Sequence, residues 1–108
     1  MKALLALVTS IALAAAPAAW AQKWPDKPVR FIVPYPPGGN VDVAARIVAD
    51  GLQKALGQSF VVENKPGAGG TIAHQAVAIA PPDGYTILLG SVGPLAVAPH
   101  LIAKLPYD

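Results

Sequence analysis

Three glycine-rich loops hold the residues with chemistry to offer. They are Tyr35-Pro36-Pro37-Gly38-Gly39-Asn40, Lys65-Pro66-Gly67-Ala68-Gly69-Gly70-Thr71 and Gly90-Ser91-Val92-Gly93-Pro94. Each stands directly before a stretch with helical patterning. The first turn of a helix exposes backbone N–H groups and a partial positive charge, so such a junction can hold an anion. Pro36 and Pro37 bring no N–H donors and stiffen the approach. Gly38 and Gly39 let a ligand come close to the backbone. Asn40 or Asp42 can cap the helix that follows, and an Asp42 carboxylate seated in the anion position would blunt the site. On the first loop alone, a plain turn with an ordinary cap is an equally good reading.

The second loop repeats the design, with Thr71 as the natural cap. It is not a phosphate-binding P-loop, because G-x-x-x-x-G-K-[ST] is absent. Nor is it a dinucleotide fingerprint: Ile72 stands where the third glycine belongs. The third loop adds the Ser91 hydroxyl between two flexible glycines. Catalytic signals are weak. The chain has no cysteine, and Ser91 lacks a G-x-S-x-G elbow. His74 and His100 have no zinc-type spacing, and His74 reads as a solvated or capping residue. Asp42 and Glu63 form no motivated acid–base pair, and Glu63-Asn64 reads as loop structure. Tyr35 and Tyr85 read as partly buried packing residues, although Tyr35 can also line a ligand site. These residues point to a binding protein, not an enzyme, with no metal and no cofactor.

The elements that must position the loops follow from the punctuation. Pro28 to Pro34 encloses a β-branched and aromatic run, strand 1, with Val29, Phe31 and Val33 on one face and Arg30 and Ile32 on the other. Apolar Ala44, Ile47, Val48, Leu52, Ala55 and Leu56 recur at helical spacing and predict a helix over 41–56 that packs through them. Gly51 then lies on the packed face, and Gly57 ends the helix as a C′ residue. Residues 59–64 read as strand 2 and 71–80 as helix 2, stopped by Pro81-Pro82. Asp83-Gly84 marks a turn. Residues 85–90 read as strand 3 and 95–104 as a third helix. The order βαβαβα with short loops argues for an α/β fold, a parallel sheet with flanking helices. Ligands of open α/β sheets bind outside the carboxyl ends of the strands, where all three loops lie.

The first residues have a different character. Lys2, the apolar run 3–16, Pro17 and Ala19-Trp20-Ala21 have the layout of a cleavable signal peptide, residues 1–21, with Gln22 as the mature start. The run is too short for a comfortable membrane span, which takes about 20 residues. This places the protein in the periplasm. The 54% hydrophobic content is inflated by this segment. The formal charge of +2 includes Lys2, which leaves +1 for the remainder (2 − 1 = 1). Such a balance, with no basic run, argues against a nucleic-acid partner. With 108 residues the chain holds at most one domain.

Together the residues support a family. "PYPPGG" followed by Asp42 and a helix, "LGQ" before "VVENKPGAGG", "PDGYT" and the closing "LPYD" resemble the Bug-type family, the periplasmic substrate-binding proteins of tripartite tricarboxylate transporters. The resemblance runs from Trp24 to Asp108. It implies one lobe of a periplasmic-binding-protein-like (Venus flytrap) fold that closes on small organic acids. It also implies that strand 1 lies between strands 2 and 3. Ligand carboxylates are then held by Tyr35, Gly38, Gly39 and Asn40 in the first loop, Gly69, Gly70 and Thr71 in the second, and Ser91 in the third. At Asn40 the family often has a smaller residue. The partners implied are a small organic acid and the membrane subunits of the transporter, with a monomer expected at full length. Family members are about three times as long, so residues 22–108 are expected to be a partial first lobe, without hinge or second lobe.

Two other readings compete with a carboxylate receptor. One is an enzyme fragment that uses the glycine-rich loops for a phosphate or nucleotide, against which the missing fingerprints and the leader count. The other is an inert product with no binding of its own.

Overall fold

The computed structural model describes residue 1 and residues 23–107. The signal-peptide reading of residues 1–21 lies outside the described residues but for Met1. Three parallel strands form the sheet in the order β2-β1-β3, where β1 is Val29–Val33, β2 Phe60–Asn64 and β3 Thr86–Leu88. The first strand is thus central, as expected. Phe31 stands opposite Val62 on one side and Ile87 on the other. Parallel neighbours need crossover connections. Here these contain helix α1, Asn40–Leu56, and helix α2, Thr71–Ala78. After β3 a wide turn over Gly93–Val97, closed by an Ala98 N–H to Gly93 carbonyl bond, runs into a four-residue helix, α3, Ala98–Leu101. The third helix is therefore shorter and less regular than 95–104. Pro94 and Pro99 withhold two of the N–H groups a longer regular helix would use.

The core lies between α1 and one face of the sheet. Val29, Phe31 and Val33 meet Phe60 and the helix residues Ala45 and Ala49. This corrects the face read from the sequence. Ala45 and Ala49 are the buried apolar residues of α1, with Val41 and Leu52 partly buried beside them, while Ile47 is 68% exposed and Val48 47%. Small alanines let the helix approach the strands closely, and the bulkier aliphatic stripe beside them was the misleading signal. Gly51 is exposed, with nothing near the place its Cβ would occupy, so it serves no close approach. On the opposite face α2 packs on β1 and β3, and Ile32 and Ala73 are buried. Arg30 stays exposed on that face and forms a double hydrogen bond to Glu63, at 2.9 and 2.7 Å.

The end of the sheet away from the three loops is closed by residues 24–27. Trp24 lies edge-on to Phe60, with ring centres 6.4 Å apart, and beside Tyr85 at 6.3 Å. The Tyr85 hydroxyl donates to the Asp26 carboxylate and accepts from the Asp26 N–H. Two local predictions hold. Gly57 takes the left-handed conformation with its N–H on the Gln53 carbonyl, and Asp83 accepts from the Tyr85 N–H in the turn before β3. Among the described residues no helix is long and apolar enough to cross a membrane.

Candidate functional site

At the carboxyl ends of the strands the chain leaves β1 through Pro34, which is buried, and turns through Tyr35–Gly39 into α1. Gly38 has φ of +89°, a left-handed conformation costly for any residue with a Cβ. The third loop leaves β3 alongside this turn. The hydroxyl oxygens of Tyr35 and Ser91 meet at 2.9 Å and join the two loops. Over this junction opens a depression of about 460 Å³ lined by Tyr35, Pro36, Pro37, Gly39, Asn40, Val41 and Ser91. Its volume falls within the range of small-molecule sites. Apolar rings and backbone line much of the depression, and it borders the start of α1, whose first N–H groups lack intrahelical acceptors. Asn40 turns its side-chain oxygen onto the Val41 N–H at 2.9 Å and so occupies one of them.

Asp42 does not line this depression. Its side chain is buried beneath the turn. One carboxylate oxygen accepts from the Gly38 N–H at 3.0 Å and from Arg46 Nε at 2.9 Å. The other accepts from Asn64 Nδ2 at 2.9 Å, and the same Asn64 amide donates to the Tyr35 carbonyl at 3.0 Å. The Arg46 guanidinium, then the Gly38 N–H and the Asn64 amide, hold the Asp42 carboxyl well below the usual carboxylate range, against the opposing effect of burial. Its charge is therefore fixed at neutral pH and met on the spot by Arg46. The residues missed by sequence reasoning are Arg46 and the detailed role of Asn64. The spacing of four between Asp42 and Arg46 is the signal that finds the first. The second depends on strand register, which brings the end of β2 beside the first loop.

The second loop is built differently. Gly67, Gly69 and Gly70 all have positive φ. Gly70 is buried, and a Cβ there would stand 2.9 Å from Pro94 Cγ and 3.3 Å from Pro34 Cβ. The Gly70 N–H donates to the Gly67 carbonyl, and the Gly70 carbonyl faces His74 Nδ1 at 2.8 Å. Thr71 is not the cap. Gly70 holds that position, and the Thr71 hydroxyl donates to the Ala68 carbonyl at 2.9 Å. Of the predicted site residues, Tyr35, Gly39, Asn40 and Ser91 come together around one depression. Gly38 lies in the same turn without lining it. Gly69, Gly70 and Thr71 lie outside its lining, and the second loop packs on the third through Gly70 and Pro94.

His74 is buried, not solvated. The Tyr107 ring covers it at 5.4 Å between centres, while the Tyr107 hydroxyl donates to the Pro94 carbonyl at 2.7 Å. Its bond to Gly70 makes it a clasp for the second loop. Among the described residues no group of three His, Cys, Asp or Glu side chains could hold a metal ion.

Comparison with known proteins adds a lineage to this geometry. The family model for the tripartite tricarboxylate transporter family receptor matches residues 44–108, more than half of the chain. A UPF0065 protein of Bordetella bronchiseptica is 54% identical over 92 residues, 85% of this chain and 28% of that protein. The protein BugT of Bordetella pertussis is 50% identical over 88 residues, 81% of this chain and 27% of its own length. Among solved structures, MatC from Rhodopseudomonas palustris with bound malate superposes with a TM-score of 0.74 at 41% identity, over 79% of this chain and 29% of that one. A second R. palustris protein, with adipate, gives 0.64 at 44% identity, over 65% and 23%. The chain thus spans less than a third of the length of the curated relatives it matches.

Proposed function

The chain belongs to the tripartite tricarboxylate transporter receptor family, and from that premise we propose that it is a solute-binding receptor for small organic carboxylates. The observation that carries this reading is the Tyr35–Ser91 hydroxyl pair set beside the start of α1 in one open depression. The two hydroxyls and the helix N–H groups are hydrogen-bond donors of the kind a carboxylate oxygen needs. The solved relatives named above hold malate and adipate, both dicarboxylates. By the same reading Tyr35, Gly39, Asn40 and Ser91 bind the carboxylate, with Gly38 holding the turn through Asp42 and Gly69, Gly70 and Thr71 shaping the adjoining wall. The receptor acts in the periplasm after cleavage of residues 1–21 and delivers its ligand to membrane subunits of a tripartite transporter. It performs no catalysis.

The donors also set a scale. One helix terminus contributes up to about 2 kcal/mol to holding an anion, while millimolar binding takes about 4 kcal/mol. These loops alone should therefore bind more weakly than about 1 mM. The test is a titration of the isotope-labelled chain with succinate, and separately with inorganic phosphate, followed by NMR. Succinate should move the Gly38, Gly39, Asn40 and Ser91 amides, with saturation above about 1 mM. Shifts with phosphate alone would favour the phosphate reading, and none with either would leave the inert one.

A further inference from the structure

A buried carboxylate at the start of α1 ought to repel the anion that the same helix start is read to attract. The surroundings of Asp42 resolve this conflict. The other ion pair within α1, Lys54 with Asp50, is an ordinary solvated one, with side chains 75% and 61% exposed. The Asp42 side chain is 4% exposed in its pair with Arg46 and makes two further bonds, to Gly38 and Asn64. A surface ion pair needs neither of them. Asn64 in turn reaches the carbonyl of Tyr35, the residue whose hydroxyl forms the wall of the depression with Ser91.

We infer that Asp42, Asn64 and Arg46 are positioning residues for carboxylate capture. Asp42 and Asn64 fix the backbone of the Tyr35–Gly39 turn from beneath, and Arg46 cancels the Asp42 charge so that the helix start keeps its pull on an anion. The inference rests on the carboxylate reading of the depression. The turn contains a glycine in a left-handed conformation and two residues without N–H groups, so it has little backbone bonding of its own to hold its shape. Side chains from α1 and β2 supply that bonding. Pre-setting the turn spares the ordering entropy that ligand binding would otherwise cost.

The experiment combines two readouts on the isotope-labelled chain: hydrogen exchange of the Gly38 amide, which is bonded to Asp42, without ligand, and succinate affinity by NMR titration. Asp42→Ala should speed exchange at Gly38 at least about tenfold and weaken succinate by about tenfold, since the turn must then be ordered at binding. Arg46→Gln should change exchange little but weaken succinate roughly three- to tenfold, through the uncovered charge. Arg46→Lys keeps the charge and should restore most of that loss, which a purely structural role for Arg46 would not predict. Should Asp42→Ala fail to fold, Asn64→Ala gives the same exchange readout. Unchanged exchange in the Asp42 variant, or in the Asn64 variant in its place, overturns the positioning role. Equal affinities of the Arg46→Gln and Arg46→Lys variants overturn the charge role. If the unaltered chain ignores succinate, the carboxylate reading and the Arg46 role fall together, while glycine exchange still judges Asp42 and Asn64.

Discussion

The hydroxyl oxygens of Tyr35 and Ser91 lie 2.9 Å apart although 56 positions separate the residues. One follows the central strand and the other its neighbour β3, so this contact records where two crossovers return to the same end of the sheet. Either hydroxyl can donate to the other, which leaves the pair free to turn a proton toward an incoming carboxylate. Tyr35→Phe and Ser91→Ala should each cost about 0.5–1.5 kcal/mol of stability. The double variant should cost less than their sum, because each single change already removes the shared bond. Urea denaturation of the four proteins checks this; strict additivity would mean that the two loops are not coupled through these hydroxyls.

Gly70 and Gly38 share a left-handed backbone but differ in their surroundings. At Gly38 nothing lies within 4 Å of a built Cβ, whereas at Gly70 Pro94 and Pro34 close the space. Gly38→Ala should cost about 1 kcal/mol, from backbone strain alone. Gly70→Ala adds overpacking against two rigid rings and should cost about 2–4 kcal/mol in all. Thermal unfolding of both variants should rank them in that order.

Acid should weaken the protein through two carboxylates. The Arg30 guanidinium holds the Glu63 carboxyl below its ordinary value, and Arg46, Gly38 and Asn64 hold that of Asp42 lower still. A folded value below the unfolded one means that the contribution is fully present above the unfolded value, about 4 for these groups, and is lost as pH falls through the folded one. Stability should therefore decline as pH drops below about 5, a fall that Asp42→Asn flattens more than Glu63→Gln does. Urea titrations at neutral pH and at about pH 3 measure the difference.

Cleavage after Ala21 predicts a mature protein that begins at Gln22 or its cyclised form. Intact-mass measurement of protein from a periplasmic extract reads this directly. A mature mass that retains Met1 contradicts it.

Punctuation residues made most of the fold legible. Pro28 and Pro34 bracket β1, Gly57 ends α1, and Asp83-Gly84 forms the turn before β3. The order of strands needed the resemblance. The packed face of α1 was not legible, because apolar residues surround most of that helix and only the sheet selects Ala45 and Ala49 over Ile47 and Val48. The first loop was legible as a possible anion site from its glycines and the helix behind it. Its support was not, since Asn64 reaches Tyr35 and Asp42 only through the register that sets β2 beside β1. Burial of His74 depends on Tyr107, a contact 33 positions away (107 − 74 = 33) that no local pattern announces.

The central place of β1 has a consequence in time. It is the first strand to be synthesised, yet both of its partners come later: Val29 pairs with Phe60 and Arg30 with Thr86. No part of the sheet can form until the chain has grown past β2, and β1 cannot be enclosed on both sides until β3 follows. Each pairing closes a long loop before any strand contact is made, which slows folding relative to a helical protein of similar length. The sheet therefore waits on the second half of the chain, although helix α1 can form locally before it, and the most apolar strand waits the longest for its neighbours.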